Sequence, residues 1–338
     1  MSERITGKSE LARQLRDEFG PEVPNKTLAR VLLSRYPALF KNVEDARTAV
    51  RYIEGKVGIR NAKNAPESKY FMQNHRSRTP FAVPKPIGTG VDLSPYVLPS
   101  TFSDFILAGD FHVPNHRIPP IEAMLKYAKK NKIRQLFING DLLDNTPFTR
   151  WQREPIKPSD VKKWFDKARD LLIEFKKHFD DIYWLEGNHD YWYERYLISK
   201  APELFGDNYY KLENRLGLAE IGVTYIPQKY LVKAGHLNIT HGHLLLRGGG
   251  GYANTARMLY MKTKANTICS HVHVESSHTE PDLNDKIVTT FSTGCMCTLR
   301  PEYQPYGGKA CHGFAHIQVK RNRDFTVKNY RIYKGEIL

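Results

Sequence analysis

A mixed α/β domain preceded by a small all-α module is the fold this sequence predicts, and three observations carry it. From Phe102 onward, apolar runs of strand length alternate with helical patterns. After residue 220, strand-like segments crowd together with a single helical interruption. Before residue 62, apolar residues recur at helical spacing. Alternating strand and helix signals imply a largely parallel sheet covered by helices, and closely spaced strands imply further sheet stacked on it.

The helical part is read over residues 1–62. Ser9 is expected to cap a first helix, whose Leu11, Leu15 and Phe19 form one stripe ended by Gly20-Pro21. Asn25 is expected to cap a second, with Leu28, Val31, Leu32 and Leu33, stopping at Pro37. Asn42 is expected to cap a third, with Val43, Ala46, Val50 and Ile53, ending near Gly55. Three short helices on polar turns make a module of the helix-turn-helix kind, with Arg13, Arg30, Arg47, Arg51, Lys56 and Arg60 as a basic surface. Nucleic-acid docking and a solvated cap or oligomerisation module are both open readings. Residues 63–101 hold six prolines and no periodicity, as a linker or an extended strap would.

Residues 102–338 carry the α/β pattern. FILAG is a strand, a helix follows from about Ile121 to Lys130, and IRQLFING is the next strand. Val161, Trp164, Phe165, Ala168, Leu171, Leu172 and Phe175 line one face of a long helix that leads into the strand DIYWLEG. Beyond it VTYIP, YLVKA, HLNITHG, NTICSH, KIVTTFST, FAHIQVK and FTVKNYRIY are strand-like, with a helix from about Ala253 to Lys264.

Composition bounds the function. Lys and Arg exceed Asp and Glu by 51 to 36, a net charge of +15 that concentrates polyanions such as nucleic acid around the protein. No stretch has the roughly 18 apolar residues of a membrane span. The polar start, MSERITGKSELARQL, does not read as a secretory signal, and four cysteines do not make a disulfide framework. A cytoplasmic setting is therefore expected. Cys295, Cys297 and Cys311 lack a second pair at ligand spacing, so no structural zinc is expected from them.

Five predicted strands end alike. FILAG runs into Asp110-Phe111-His112, and IRQLFING into Asp141 with Asp144 three residues on. YWLEG runs into Asn188-His189-Asp190, LNIT into His241-Gly242-His243, and NTIC into Ser270-His271-Val272-His273. The carboxyl ends of strands in open α/β sheets form the crevice where ligands bind. One such ending is an ordinary turn, but five that deliver carboxylates and imidazoles to one edge would repel and desolvate without cations. Carboxylate, amide and imidazole with no thiolate suit Mn²⁺, Fe²⁺ or Zn²⁺ rather than the all-oxygen set of calcium. Seven candidate ligands exceed what one ion takes, so two ions about 3.5–4 Å apart sharing a carboxylate is the economical count.

These motifs resemble those of the calcineurin-like metallophosphoesterases. Asp110-x-His112, Gly140-Asp141-x-x-Asp144, Gly187-Asn188-His189-Asp190, His241-Gly242 and His271-x-His273 follow the family's five motifs in order, with Ser270 where the family usually has glycine. The resemblance implies a four-layer α/β/β/α sandwich of two mixed sheets. It implies one divalent ion on Asp110, His112, Asp141 and His273, and a second on Asp141, Asn188, His241 and His271. Mn²⁺ is the first choice, with Fe²⁺, Zn²⁺, Ni²⁺ or Mg²⁺ as alternatives. His189 would be the non-ligand that protonates the leaving group or steadies the phosphoryl oxygens, with Asp190 orienting it. The whole arrangement, with "NVEDARTAVRYIEGKVGIRN" ahead of the catalytic part, is also similar to uncharacterised phosphoesterases of bacteriophages and bacteria.

Other residues are read beside the motifs. His243 is either a phosphate-binding or supporting group or an edge residue. In the loop after the Asp141 motif, Arg150, Trp151 and Arg153 are expected to grip a phosphate backbone and stack on a base. Arg247, beside four glycines and a helix start, is a further phosphate candidate. Tyr191, Trp192 and Tyr193 are expected to pack their helix rather than touch substrate. The expected function is a two-metal phosphoesterase acting on DNA or RNA phosphodiesters. Small nucleotides or phosphoproteins are alternative substrates, and a nucleic-acid-binding protein with a vestigial catalytic domain is the alternative of another class.

Overall fold

The computed structural model describes residues 7–20, 23–57, 94–149, 158–246, 254–301 and 308–338. The chain divides into two compact units, Met1–Gly90 and Val91–Leu338.

The first unit holds α1 (Lys8–Phe19), α2 (Asn25–Arg35) and α3 (Val43–Ile53). Leu11, Leu15, Leu28, Leu32, Ala46 and Val50 meet in its core, as the apolar stripes require. Only one of the three expected caps forms. Asn42 Oδ1 accepts from the Asp45 amide at 2.9 Å, but Ser9 lies inside α1 behind Gly7, and Pro24 precedes α2. Asn25 is instead drawn into a buried network, donating to Glu54 while Arg16 pairs with the same carboxylate at 2.5 Å. An uncompensated buried guanidinium would be costly, and that demand outranks a local cap. On the surface Arg30 and Arg51 are exposed, whereas Arg13 and Arg47 lie against Glu10 and Glu44. Arg60 lies outside the described residues.

The second unit contains β1 (Tyr96–Val97), β2 (Asp104–Ala108), α4 (Ile118–Lys130), β3 (Gln135–Asn139), α5 (Pro158–His178), β4 (Asp181–Leu185) and α6 (Asn188–Lys200). Then come β5 (Val223–Ile226), β6 (Val232–Ala234), β7 (Leu237–Ile239), α7 (Thr255–Thr263) and β8 (Thr267–Cys269). It ends with β9 (Ser276–Pro281), β10 (Ile287–Ser292), β11 (His312–Val319), β12 (Phe325–Tyr333) and β13 (Glu336–Ile337). No helix among the described residues is long and apolar enough to cross a membrane.

Two mixed sheets result. One has the order β13-β12-β11-β2-β3-β4-β5, parallel from β2 to β5, and the other β1-β6-β7-β8-β10-β9. Strand residues alternate between two cores, as the period of two dictates. Ile106, Leu136, Ile138 and Trp184 pack under Met124, Phe165, Leu172 and Phe175 on the helical side. Phe105, Leu107, Phe137 and Leu185 face Val232, Leu237, Ile239 and Ile268 of the other sheet. Leu259 of α7 covers that sheet's outer side with Leu246 and Cys269. The layers are therefore α/β/β/α, with two mixed sheets inside.

The end of the Pro-rich segment lies within the second unit. Tyr96–Val97 pairs in parallel with Val232–Lys233, and Leu98 and Phe102 are buried between the sheets. Its last residues are therefore part of the sandwich, and residues 63–93 lie outside the described ones.

Candidate metal centre

Register sets the site. Ile138 of β3 pairs with Ala108 of β2 and Trp184 of β4, so Asp110, Asp141 and Asn188 emerge at one edge. In the facing sheet Ile239 pairs with Ile268, which brings out His241, His271 and His273 beside them. The turns are tight. Asp110, His112, Asp141, His271 and His273 all have φ between 47° and 69°, where side chains other than Asp, Asn and His are rare. Such backbone costs of order 1–3 kcal/mol per residue and clusters at functional sites. Main-chain bonds lock it: the Asp110 amide donates to Gly140 O and the His112 amide to Asp141 O, both at 3.0 Å.

Two clusters of donor atoms share one oxygen. Asp141 Oδ2 lies 3.8 Å from His112 Nε2 and 3.1 Å from His241 Nε2. Around the first position, Asp110 Oδ1 faces His273 Nε2 at 3.3 Å and His112 Nε2 at 3.9 Å. Around the second, Asn188 Oδ1 is 3.2 Å from His241 Nε2, and the ligand atoms of Asp141, His241 and His271 lie within 4.8 Å of one another. The other carboxylate oxygens are engaged: Asp141 Oδ1 accepts from the His189 amide and Asp110 Oδ2 from the His271 amide. Asp110 Oδ1 is buried and accepts no hydrogen bond. Buried polar atoms are almost always partnered, so this oxygen aimed at two imidazoles fits a cation.

The imidazoles are oriented from behind. His241 Nδ1 donates to Asn139 O at 2.8 Å and His112 Nδ1 meets Asp144 Oδ1 at 3.2 Å, leaving Nε2 of both rings inward. Outer bonds of this kind fix the tautomer of a metal-binding histidine. The glycines leave space for the packing. A Cβ on Gly187 would stand 2.2 Å from Asp141 Oδ1, and one on Gly140 2.2 Å from His241 Nδ1. Donor types, convergence and the orphaned oxygen together fit a pair of divalent ions.

Electrostatics agree. Burial opposes ionisation of Asp110 and Asp141, yet His273 and His241 hold both below the ordinary carboxylate range. Burial likewise disfavours the charged form of His241, but Asp141 overrides it and pushes the pKa up to about 9. His271 is pushed down to about 3 by burial and then by His241, so it stays neutral and free to donate a lone pair.

His189 sits at the rim. Its Nδ1 donates to Asp144 O at 2.8 Å, and Asp144 Oδ1 is 3.5 Å away. Trp192 stacks on the imidazole with ring centres 3.8 Å apart, a contact within its own helix. Tyr193 packs against Phe148 and Phe165. Asp190 does not reach His189. Its carboxylate accepts from the amides of Gly187 and Leu143 and from Trp184 Nε1, so it anchors the start of α6, and Asp144 holds the imidazole in its place. The Gly140-Asp141-x-x-Asp144 motif was the signal that carried Asp144.

A cleft of about 420 Å³ opens over the clusters and adds Asn115, Thr298 and Lys309 to its walls, none of them expected from sequence. Cys297 Sγ lies 4.0 Å from His273 Nδ1 and joins the first cluster's surroundings, although the cysteines had been set apart from the metal. His243 bonds Gln228 Oε1 at 2.6 Å, with its ring 6.0 Å from that of His271. Arg150, Trp151, Arg153 and Arg247 lie outside the described residues.

The chain is similar to several known proteins. A phage relative, the gene 54 protein of Mycobacterium phage D29, is 28% identical over 182 residues, half of this chain and 68% of that protein. Among solved structures, vacuolar protein sorting 29 of Cryptosporidium parvum is 14% identical with a TM-score of 0.37, covering 70% of this chain and 94% of its own. A phosphoesterase from E. coli is 14% identical with a TM-score of 0.31, covering 67% and 98%. A dimetal phosphatase from Danio rerio is 11% identical with a TM-score of 0.34, covering 70% and 98%. The calcineurin-like phosphoesterase family matches residues 104–288, which is more than half of the chain and spans all five motifs. The chain belongs to the calcineurin-like phosphoesterases, metal-dependent hydrolases whose family implies a dinuclear divalent centre.

Proposed function

We propose that this enzyme hydrolyses phosphodiester bonds of DNA or RNA with two divalent ions, Mn²⁺ first among them. The observation that carries the reading is the shared oxygen: Asp141 Oδ2 faces His112 Nε2 and His241 Nε2 from one position, as a bridging carboxylate must. Asp110, His112, Asp141 and His273 would hold one ion, and Asp141, Asn188, His241 and His271 the other. Bound there, such ions polarise phosphoryl oxygens and lower the pKa of the attacking water. The protein's own part falls to His189. With Nδ1 committed to Asp144 O, its transferable proton sits on Nε2, and giving it to the leaving oxygen yields the neutral tautomer that Asp144 O requires.

A polynucleotide substrate is supported by the charge of +15, by exposed Arg30 and Arg51 on the helical unit, and by Lys309 in the cleft. The test is a metal screen on single- and double-stranded DNA, RNA and a chromogenic bis-ester in parallel. Metal-dependent cleavage of the chromogenic ester and of a polynucleotide is expected. Metal-dependent turnover of the chromogenic ester with no cleavage of any polynucleotide would overturn the nuclease reading.

A further inference from the structure

A second cavity, also about 420 Å³, is bounded by α6, residues 204–213 and the end of β5. That volume falls within the roughly 300–1,000 Å³ of small-molecule sites. Two of its wall residues adjoin the loops of the metal centre. Glu186 in its wall directly precedes Gly187-Asn188-His189, and Gln228 in its wall bonds His243, the neighbour of His271.

The lining is aromatic and acidic. Tyr191, Tyr193, Phe205, Tyr210 and Tyr225 supply flat apolar surface. Glu186, Glu194, Asp207 and Glu213 outnumber Lys211 and Lys229 there, although the whole chain carries +15. Glu186 is 4% exposed and accepts from the Gln228 amide at 3.0 Å and from the Tyr225 hydroxyl. Burial pushes its pKa up to about 7, so near neutral pH it can accept as a carboxylate or donate as a carboxyl group.

We infer that this cavity receives a nucleobase of the substrate while the adjoining phosphate lies at the metal centre. The inference rests on the phosphodiesterase reading and names the part of the substrate that reading leaves open. Its acidic wall repels phosphate, so the cavity suits the uncharged part of a nucleotide. Tyrosine rings stack on any base because every base has a π-face. Base edges carry amino donors, which match the Glu186 carboxylate. They also carry ring-nitrogen or carbonyl acceptors, which match the Gln228 side-chain nitrogen, its Oε1 being held by His243. A purely apolar group would leave that polar edge unanswered.

The experiment has two arms. In the first, adenosine, guanosine, cytidine and thymidine are titrated into the full-length, metal-free protein while tyrosine fluorescence is followed. Saturable binding is expected, weakened by Tyr210→Ala and by Glu186→Gln. Leu204→Trp, which adds bulk to the wall instead of removing it, is run beside them in case Tyr210→Ala does not fold. In the second, p-nitrophenyl phosphodiesters of a nucleoside and of the matching abasic ribose are compared with Mn²⁺ present. The nucleoside ester should be favoured in kcat/KM by about 5- to 150-fold, the range that stacking one base supports. In the folded variants that ratio should fall toward one. Equal turnover of both esters with no nucleoside binding would overturn the base pocket and leave the phosphodiesterase reading standing. Nucleoside binding without hydrolysis of any diester would do the reverse.

Discussion

His189 Nδ1 lies 2.8 Å from the backbone oxygen of Asp144, and that bond decides which imidazole nitrogen is left free to exchange a proton. The carbonyl can only accept, so Nδ1 keeps its proton and Nε2 exchanges one. His189→Ala should therefore leave metal content intact while lowering turnover by about 10²–10⁴. Elemental analysis of the variant beside its rate separates an acid from a ligand, and loss of metal would show His189 to be a ligand.

Asp144 also sets when that proton is available. Burial disfavours the His189 imidazolium, but Asp141 and Asp144 together raise its pKa above the ordinary 6.5. In its proposed role of general acid it must be protonated, so activity should fall as pH rises through this raised value. Asp144→Asn removes one negative charge and should move that alkaline limb to lower pH. A kcat/KM profile with an unmoved limb in a metal-loaded variant would assign the limb to another group.

Gly187 makes a steric prediction. A Cβ there would press on Asp141 Oδ1 and the Asp141 amide, at 2.2 and 2.4 Å, and neither atom is a flexible tip. Gly187→Ala should destabilise by about 1–3 kcal/mol, as overpacking does, and should weaken metal binding because the shared carboxylate must shift. Thermal unfolding and metal titration read the two effects, and an unchanged metal affinity would mean Asp141 yields without cost.

The helical unit makes a third kind of prediction, independent of chemistry. Deleting residues 1–62 should leave hydrolysis of a small chromogenic diester nearly unchanged. Affinity for long DNA or RNA should drop, and its slope against log salt should become shallower by about 0.7–0.9 per lost phosphate contact. Arg30→Glu with Arg51→Glu should reproduce part of this, since both are exposed whereas Arg47 is engaged by Glu44. An unaltered salt slope would make the unit a structural cap.

The convergence of these residues was legible because each follows a short apolar run buried on both faces, and parallel register carries strand ends to one edge. β9 was not legible: Ser276–Pro281 is polar along its length and half-exposed at a sheet edge, so it lacks an apolar alternation. Nor was the partner of His189. Asp190 is adjacent in sequence, but one residue along a helix turns a side chain by about 100°, and this carboxylate points back to cap its own helix while Asp144 arrives from another loop. Asn25 misled for a related reason, because a buried Arg16–Glu54 pair 38 residues apart claimed its side chain.

The measurement closest to the central claim is metal stoichiometry. Wild-type protein reconstituted with Mn²⁺ and freed of excess should carry two ions per chain by elemental analysis. Asp141→Asn should weaken both together, because its Oδ2 is the atom the two clusters share. A wild-type protein that saturates at one ion, or an Asp141→Asn variant that keeps one ion at full affinity, would contradict a dinuclear centre bridged by Asp141.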